Sequence, residues 1–377
     1  MPRKLASLHA FFFPSPMNKK ITDFQLFHEF YKAAKENLTE GTWDYLIGAS
    51  ETETTFRRNR AAFDSIAFRP RVLRDVDNVD CSATLLEQKL RIPVVLAPIG
   101  SLQDFHPEGA AIVARAANQF GTISMLSSVS HPGLEATAAA CQGPKIFQLY
   151  VRGNEAWVED HIRRAMDAGY VAFCFTVDLD YYVKRERDIA KRYVTTGRRL
   201  AGKNEEHQRR FSWKDIARIR ERFDIPLMVK GIATAEDAKL AVEHGIEVVY
   251  VSNHGGRELD HGRGALDVLP EVVEAVKGKA EIVMDGGILR GSDVVKAMAL
   301  GADAVGIARL YGFALGAAGE SGVARALEIL ENEIRSTLGL LGVTAWSQLD
   351  QSYLQPGAPL VRYPGFGSAF PLLEEGY

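Results

Sequence analysis

Beyond Pro93 the chain repeats one rhythm: a short apolar run, ended by polar or glycine residues, followed by a longer stretch with apolar positions at helical spacing. Eight such units can be counted, with strands expected at 94–99, 122–128, 145–151, 171–178, 226–232, 248–253, 281–287 and 304–309. The stretches between them carry helix signals, as in TAEDAKLAVEHG, where Thr234 and Glu236 suit a helix start and Gly245 a stop. Successive βα units with right-handed crossovers close most simply as a (β/α)8 TIM barrel, an α/β fold, with an open doubly wound sheet as the runner-up.

Ahead of the barrel, the pattern from Ile21 to Ile47 is helical, with Phe24, Leu26, Phe27, Phe30 and Tyr31 on one expected buried face and a second short helix ending in WDYLIGAS. The next segment, FRRNRAAFDSIAFRPRVLRDV, alternates charge with aromatics and carries Pro70, which predicts an extended connector rather than a helix. The expected organisation is a flexible tail over 1–20, an N-terminal helical cap and connector over 21–92, the barrel over 93–349 and a C-terminal extension over 350–377. One link breaks the rhythm. The long loop after the fourth strand, DYYVKRERDIAKRYVTTGRRLAGKNEEHQRR, is basic and polar, and its far part is expected to be mobile.

Composition narrows the function class. At 377 residues, 46% hydrophobic and 25% charged, the chain is an ordinary globular sequence, long enough for a large core. A net charge of −3 argues against nucleic acid as a partner. Cys81, Cys141 and Cys174 are odd in number, widely spaced and without a CxxC, so neither a disulfide framework nor a metal site is expected, and a reducing, cytoplasmic setting is. No stretch approaches an uninterrupted apolar span of transmembrane length. The opening MPRKLASLHAFFFPSPM lacks a continuous apolar core and a small-residue cleavage site; it reads as a loose tail, with Met17 an equally natural start. The basic residues of loop 194–211 suit a peripheral contact with acidic lipid headgroups, against which stands the commoner solvated charge run.

Candidate chemistry collects at the strand ends. In YVSNHGGRELD, Val248 to Val251 form a buried run that Gly255 and Gly256 break, so His254 and Arg257 fall in the loop beyond the strand, where parallel α/β sheets bind ligands. An isolated HGGR would be read equally well as a capping or core histidine beside a surface arginine. The other strand ends change that balance: Gln148 and Tyr150, Thr176 and Asp178, Lys230, Asp285 to Gly287, and Arg309 converge on the same mouth, as in a catalytic barrel. The late DGG, the RGSDVVKA helix after it and GIAR at the eighth strand occupy the place where barrels bind a phosphate.

With SNHGGRELD, VKGIATAEDA, APIGSLQDFHPEG, FQLYV, TVD followed by KRERD, and DGGILRGSDV at matching spacing, the chain from about Ile21 to Leu349 resembles the FMN-dependent α-hydroxy acid oxidases and dehydrogenases, the group of glycolate oxidase, lactate oxidase and mandelate dehydrogenase. The resemblance implies bound FMN, oxidation of a 2-hydroxy acid to the 2-oxo acid, and O2 or a quinone or other carrier as electron acceptor. It also implies a homo-oligomer, a tetramer in that family. Residue by residue it makes His254 the base, Asp178 its orienting partner and Tyr150 a hydrogen-bond partner of the substrate hydroxyl. Arg257 becomes the clamp on the substrate carboxylate, with Tyr45 and Arg185 assisting. The same resemblance implies that Lys230 lies beside the N1 and O2 edge of the flavin, that Ser127, Gln148 and Thr176 hold the ring edge, and that the backbone at Ile99 and Gly100 faces N5. It further implies that Asp285, Gly287 and Arg309 hold the ribityl chain and phosphate, with Ser252 and Gly286 among the cofactor contacts.

The chain also departs from that pattern. Leu289 stands where the family has a phosphate-binding arginine and Ala308 where it has glycine, so phosphate contacts are expected to lean on Arg309 and backbone amides, with Arg290 as a substitute. Val129 stands where glycolate oxidase has a tryptophan over the substrate, and LDYYVKR replaces a proline and glycine turn. A valine leaves room, and Tyr181 and Tyr182 add flat apolar surface, so a medium or large 2-hydroxy acid is expected; the counter-reading has the tyrosines folding inward to refill the space. Two alternatives stand beside this function: an FMN barrel with a different, isomerase-like chemistry, and a non-catalytic barrel that binds a flavin or metabolite. The complete set of Tyr45, Tyr150, Asp178, Lys230, His254 and Arg257 weighs against the second, since a barrel freed from catalysis has no physical need of all six.

Overall fold

The computed structural model describes residues 23–201, 205–358, 366 and 369–373. The expected tail over 1–20 lies outside the described residues, as do 202–204 of the long loop and much of the C-terminal extension. Among the described residues, eight parallel strands follow one another round a closed barrel: β1 (Val94–Leu96), β2 (Ser124–Ser127), β3 (Lys145–Leu149), β4 (Ala172–Thr176), β5 (Leu227–Ile232), β6 (Val248–Val251), β7 (Glu281–Asp285) and β8 (Ala304–Ile307). β8 closes onto β1, with Val305 opposite Val94 and Gly306 opposite Val95. The fold is the TIM barrel, and its strands lie inside the expected ranges, ending a residue or more before most of the polar positions that the apolar runs lead into.

Because side chains alternate along a strand, each one feeds two compartments. Val95, Met125, Ile146, Cys174, Met228 and Val283 fill the barrel interior. Their neighbours Leu96, Leu126, Phe147, Phe175, Val229 and Met284 pack outward against the helices. Two residues further along the inward parity come Ser127, Gln148, Thr176, Lys230 and Asp285, all buried, which form a polar layer over the apolar plug. A hairpin pairing Ala83–Leu85 with Gln88–Leu90 seals the opposite end: Leu85 and Leu90 join the interior cluster, and Leu86 N donates to Glu281 at the start of β7.

The cap begins with α1 (Phe27–Asn37) and α2 (Glu40–Ile47), and α1 packs on the long helix Arg309–Leu341. Phe24, Phe27 and Phe30 are buried as expected, but Leu26 stands at the helix N-cap and is exposed. The first part of the segment expected to be an extended connector is instead a helix, α3 (Thr54–Asp64), while the remainder to 76 is not helical and includes the short strand Ile66–Phe68, which pairs antiparallel with Leu354–Pro356. Its inward face is Phe56, Asn59, Arg60 and Phe63, a helical spacing whose two middle positions are polar, so the apolar period is masked. Arg60 is tolerated there because it bonds Asp64 at 3.1 Å and Asp293 at 2.7 Å. The helix also lacks a local cap: Glu53 sits at a left-handed φ of 57° with no capping bond. Asp260 supplies the acceptor from the far loop, taking Thr55 N at 2.8 Å and Thr52 N at 3.0 Å.

The loop after β4 contains three short helices, Glu186–Ala190, Thr196–Ala201 and Glu205–Arg210. Its middle is tied to the loop after β1, since Asp104 accepts from the Tyr193 hydroxyl at 3.1 Å and from Thr196 N at 2.8 Å, while Gly197 N donates to Ser101 Oγ at 2.9 Å. Among the described residues, no helix is long and apolar enough to cross a membrane.

Candidate active site

After β6 the chain turns sharply through Asn253 to Arg257, and this turn sets the reactive groups. Asn253 Oδ1 accepts from Gly256 N at 3.2 Å and from Asn59 Nδ2 at 2.9 Å, pinning the turn to α3. His254 sits at a φ of 56°, a conformation that costs a non-glycine residue about 1–3 kcal/mol unless its surroundings impose it. Those surroundings are specific. Nδ1 lies 2.9 Å from Asp178 Oδ1, and the Tyr150 hydroxyl is 3.3 Å from Nε2.

Burial alone would raise the Asp178 carboxyl, but the His254 charge, its hydrogen bond and Lys230 outweigh that and hold it below the usual carboxylate range. As a carboxylate it fixes the proton on Nδ1 and leaves Nε2 as the accepting nitrogen. Burial pushes the Tyr150 phenol well up, so it stays a donor.

Arg257 reaches the same cavity from the other side of the turn. Its Nη1 donates to Tyr45 O at 2.7 Å and Gly48 O at 2.8 Å, and the guanidinium lies 4.6 Å over the Tyr45 ring. Its Nη2 is buried and, among the described residues, has no partner. Burial first, and the charge of Arg185 second, disfavour this cation. An unsatisfied N–H on a buried cation calls for an anion. Arg185 is already paired, 2.6 Å from Glu258 Oε1, and the Tyr45 hydroxyl donates to Gly100 O at 3.2 Å.

Deeper in the cavity, Lys230 Nζ donates to Ser252 Oγ at 2.8 Å and stands 3.4 Å from Asp285. Burial would lower the Lys230 ammonium, but the charges of Asp285 and Asp178 prevail and keep it protonated. Ser252 Oγ in turn donates to Asp285 Oδ1 at 2.6 Å and accepts from His254 N at 3.0 Å, so the lysine and the histidine turn share one anchor. Beneath the cavity, both polar atoms of the Gln148 amide and the Thr176 hydroxyl are buried without a partner among the described residues. These orphaned donors and acceptors beside a buried ammonium suit the hydrogen-bonding edge of a flavin.

The cavity is a cleft open to solvent, with about 1320 Å³ of atom-free space within its bounds, open solvent included. Ile99, Gly100, Val129, Gly286, Gly287 and Arg309 line it along with the groups above. Gly287 has a φ of 90°, and a Cβ there would come within 2.8 Å of Asn59 O. At Gly100 a Cβ would meet the Val129 Cγ2 methyl at 2.9 Å, a side-chain contact rather than a backbone one. At the end expected to take the phosphate, Leu289 and Ala308 leave Arg309 as the cation, bonded to Gly255 O at 2.9 Å and Gly48 O at 2.8 Å. Burial, then the charge of Arg257, pushes that guanidinium down, the mark of a site short of negative charge. Arg290 is no substitute: it turns away to Glu333 and to Ala369 O. The residues thus fit FMN, with one arginine rather than two at the phosphate end.

One further expectation changes. Tyr182 lines the cavity, but Tyr181 is 69% exposed and stacks with Arg209 instead. Several contributors carried no sequence signal of their own: Asn59, which holds the histidine turn, and Phe105, Arg152 and Leu179 in the cavity wall. Glu258, the partner of Arg185, could have been noticed from its place next to Arg257.

The family model for FMN-dependent dehydrogenase matches residues 34–356. Glycolate oxidase 1 of Oryza sativa subsp. indica is 38% identical over 357 residues, 89% of this chain and 97% of its own. Glycolate oxidase of Spinacia oleracea is 38% identical over 349 residues, 87% of this chain and 94% of its own. Among solved structures, a mandelate oxidase superposes with a TM-score of 0.83 at 36% identity, covering 90% of this chain and 100% of that one. An active chimera of (S)-mandelate dehydrogenase gives 0.83 at 31% identity, covering 88% and 99%. Matched over nearly its whole barrel and cap, the chain belongs to the FMN-dependent dehydrogenase family and is an FMN-dependent oxidoreductase of the hydroxy acid oxidase and dehydrogenase group.

Proposed function

We propose that the enzyme oxidises a 2-hydroxy acid of medium or large side chain to its 2-oxo acid, with His254 as base and Arg257 as carboxylate anchor. The observation that carries this is the buried Nη2 of Arg257, without a partner among the described residues, in the same cavity as the Tyr150, His254 and Asp178 chain. FMN, when bound, takes up the two electrons that leave the alcohol carbon.

The protein's own part is binding and proton handling. Arg257 presents its open N–H edge to the substrate carboxylate, a planar fork that a carboxylate matches. Tyr150 donates its hydroxyl hydrogen to the substrate oxygen. His254 Nε2 takes one proton, from the α-carbon if that hydrogen leaves as a proton or from the hydroxyl if it leaves as hydride. Either way the ring becomes imidazolium, and Asp178 at 2.9 Å stabilises it. Lys230 and the orphaned Gln148 and Thr176 groups are the residues that would hold the flavin ring, and Arg309 with the Gly286 and Gly287 backbone its phosphate end.

Val129, Phe105, Leu179 and Tyr182 give the outer cavity apolar walls, which supports a side chain longer than a hydrogen. Each methylene buried there contributes about 0.8 kcal/mol. Anaerobic mixing with a panel from glycolate through lactate and 2-hydroxyoctanoate to mandelate tests both statements. Bleaching of the flavin by members of the panel is expected, and no bleaching by any of them overturns the reaction. Highest kcat/KM on glycolate overturns the size preference. The same panel under O2 and under an artificial acceptor assigns the oxidant.

A further inference from the structure

We infer that the outer end of the substrate cavity is a second anion subsite, formed by the Arg198 guanidinium and the Tyr182 hydroxyl, and that the preferred substrates are 2-hydroxy acids whose side chain ends in a further carboxylate. This rests on the 2-hydroxy acid reading above and names the substrate class more closely.

The charge balance of the cavity points there. Of the cations in its wall, Arg60 is paired with Asp64 and Asp293, Arg185 with Glu258, and Lys230 with Asp285, while Arg152 is bonded to the Tyr182 oxygen. Arg257 and Arg309 line the same cavity, and on the reading above they would be met by the substrate carboxylate and the flavin phosphate. Arg198 is left over. It lines the outer cavity, and among the described residues it has no ion pair, only a stacking contact 4.5 Å above the Tyr182 ring. The carboxylate that senses its charge, Asp188, is half-buried and acted on more strongly by Arg257 and Arg185.

Tyr182 completes the subsite. The Arg152 guanidinium donates to the Tyr182 oxygen, so the phenol is held as an acceptor on that side and keeps its own O–H to donate. Neither group is adrift, because the short helix bearing Arg198 is fastened to the loop after β1. Asp104 takes Thr196 N and Ser101 takes Gly197 N. Gly197 also packs so closely on the Val129 carbonyl that a Cβ would meet it at 2.2 Å. Val129 and Leu179, in the same cavity wall, offer an apolar path for the chain that links the two acid groups.

The test compares two acids of equal length, 2-hydroxyhexanoate and 2-hydroxyadipate, as reductants of the FMN holoenzyme, and their 2-oxo counterparts as ligands read by the flavin spectrum. The parent enzyme is expected to favour the diacid by about tenfold in reduction rate over Kd, a preference that shrinks with added salt because Arg198 is exposed. Arg198→Gln is expected to bring the ratio toward one, Arg198→Lys to keep part of it, and Tyr182→Phe to lower it. A parent ratio near one, or a ratio unchanged in Arg198→Gln, overturns the subsite. Preferential binding of the 2-oxo diacid without flavin reduction by either hydroxy acid overturns the oxidation reading and supports the subsite.

Discussion

Asn59 and Asn253 exchange two side-chain hydrogen bonds, Asn59 Nδ2 to Asn253 Oδ1 at 2.9 Å and Asn253 Nδ2 to Asn59 Oδ1 at 2.7 Å. Through this pair α3 fixes the turn on which His254 and Arg257 stand, and Asn59 Oδ1 accepts from Ala265 N as well. Asn59→Leu keeps much of the volume, removes both bonds to Asn253 and takes the acceptor from Ala265 N, a loss of about 1–3 kcal/mol. A lower melting temperature and a lower kcat are expected together; melting and turnover both at parental values would show that the pair positions nothing.

His254→Gln should retain FMN absorbance and lose flavin reduction by substrate, because the accepting nitrogen is gone while the groups expected to hold the cofactor are untouched. Removal of a general base typically costs about 10² to 10⁴-fold. Stopped-flow reduction within a factor of about three of the parent, well short of that range, removes His254 from the mechanism.

Arg257→Lys is expected to raise KM strongly. A lysine offers a point charge where the carboxylate needs a fork, and it cannot also hold Tyr45 O and Gly48 O in the same geometry. Loss of one partner from a desolvated charge pair costs about 2–5 kcal/mol. Equal reactivity of an acid and its methyl ester in the parent enzyme would falsify the anchor.

Val129→Trp refills the space beside Gly100 and is expected to shift preference from larger acids toward glycolate. With two or three methylenes displaced, the ratio of kcat/KM values changes by about tenfold or more. An unaltered ratio means that the side chain of the substrate runs elsewhere.

Acid stability should depend on Asp260. Burial raises its carboxyl, but the hydrogen bonds from Thr52 and Thr55 outweigh this and hold it far below the ordinary range. A carboxylate with a depressed folded pKa contributes stability that is complete above its unfolded value of about 3.9 and is lost as pH falls below it. Melting temperature measured from pH 7 downward is therefore expected to fall more steeply in the parent than in Asp260→Asn once the pH passes below about 4. Parallel curves would mean that α3 is not capped by this charge.

Local periodicity carried most of the fold. Alternation along a strand is a property of neighbouring residues, so eight apolar runs sufficed to place the barrel, and the same parity carried Gln148, Thr176, Lys230 and Asp285 to its inner rim. The glycines that interrupt the sixth strand's run placed His254 and Arg257 beyond it in the same way. Where a residue's fate depends on a distant partner, no such pattern exists. The polar inward face of α3 is stable only because Asn253 and Asp293 meet it, and its N-terminus only because Asp260 does. Tyr181 and Tyr182 are adjacent in an irregular loop with no parity to separate them, and packing alone sends the second to the cavity and the first to solvent. Arg290 and Arg309 likewise look interchangeable in the chain, until Glu333 draws one away and the carbonyls of Gly48 and Gly255 hold the other in the cavity, because a buried guanidinium goes wherever the fold has left acceptors for it.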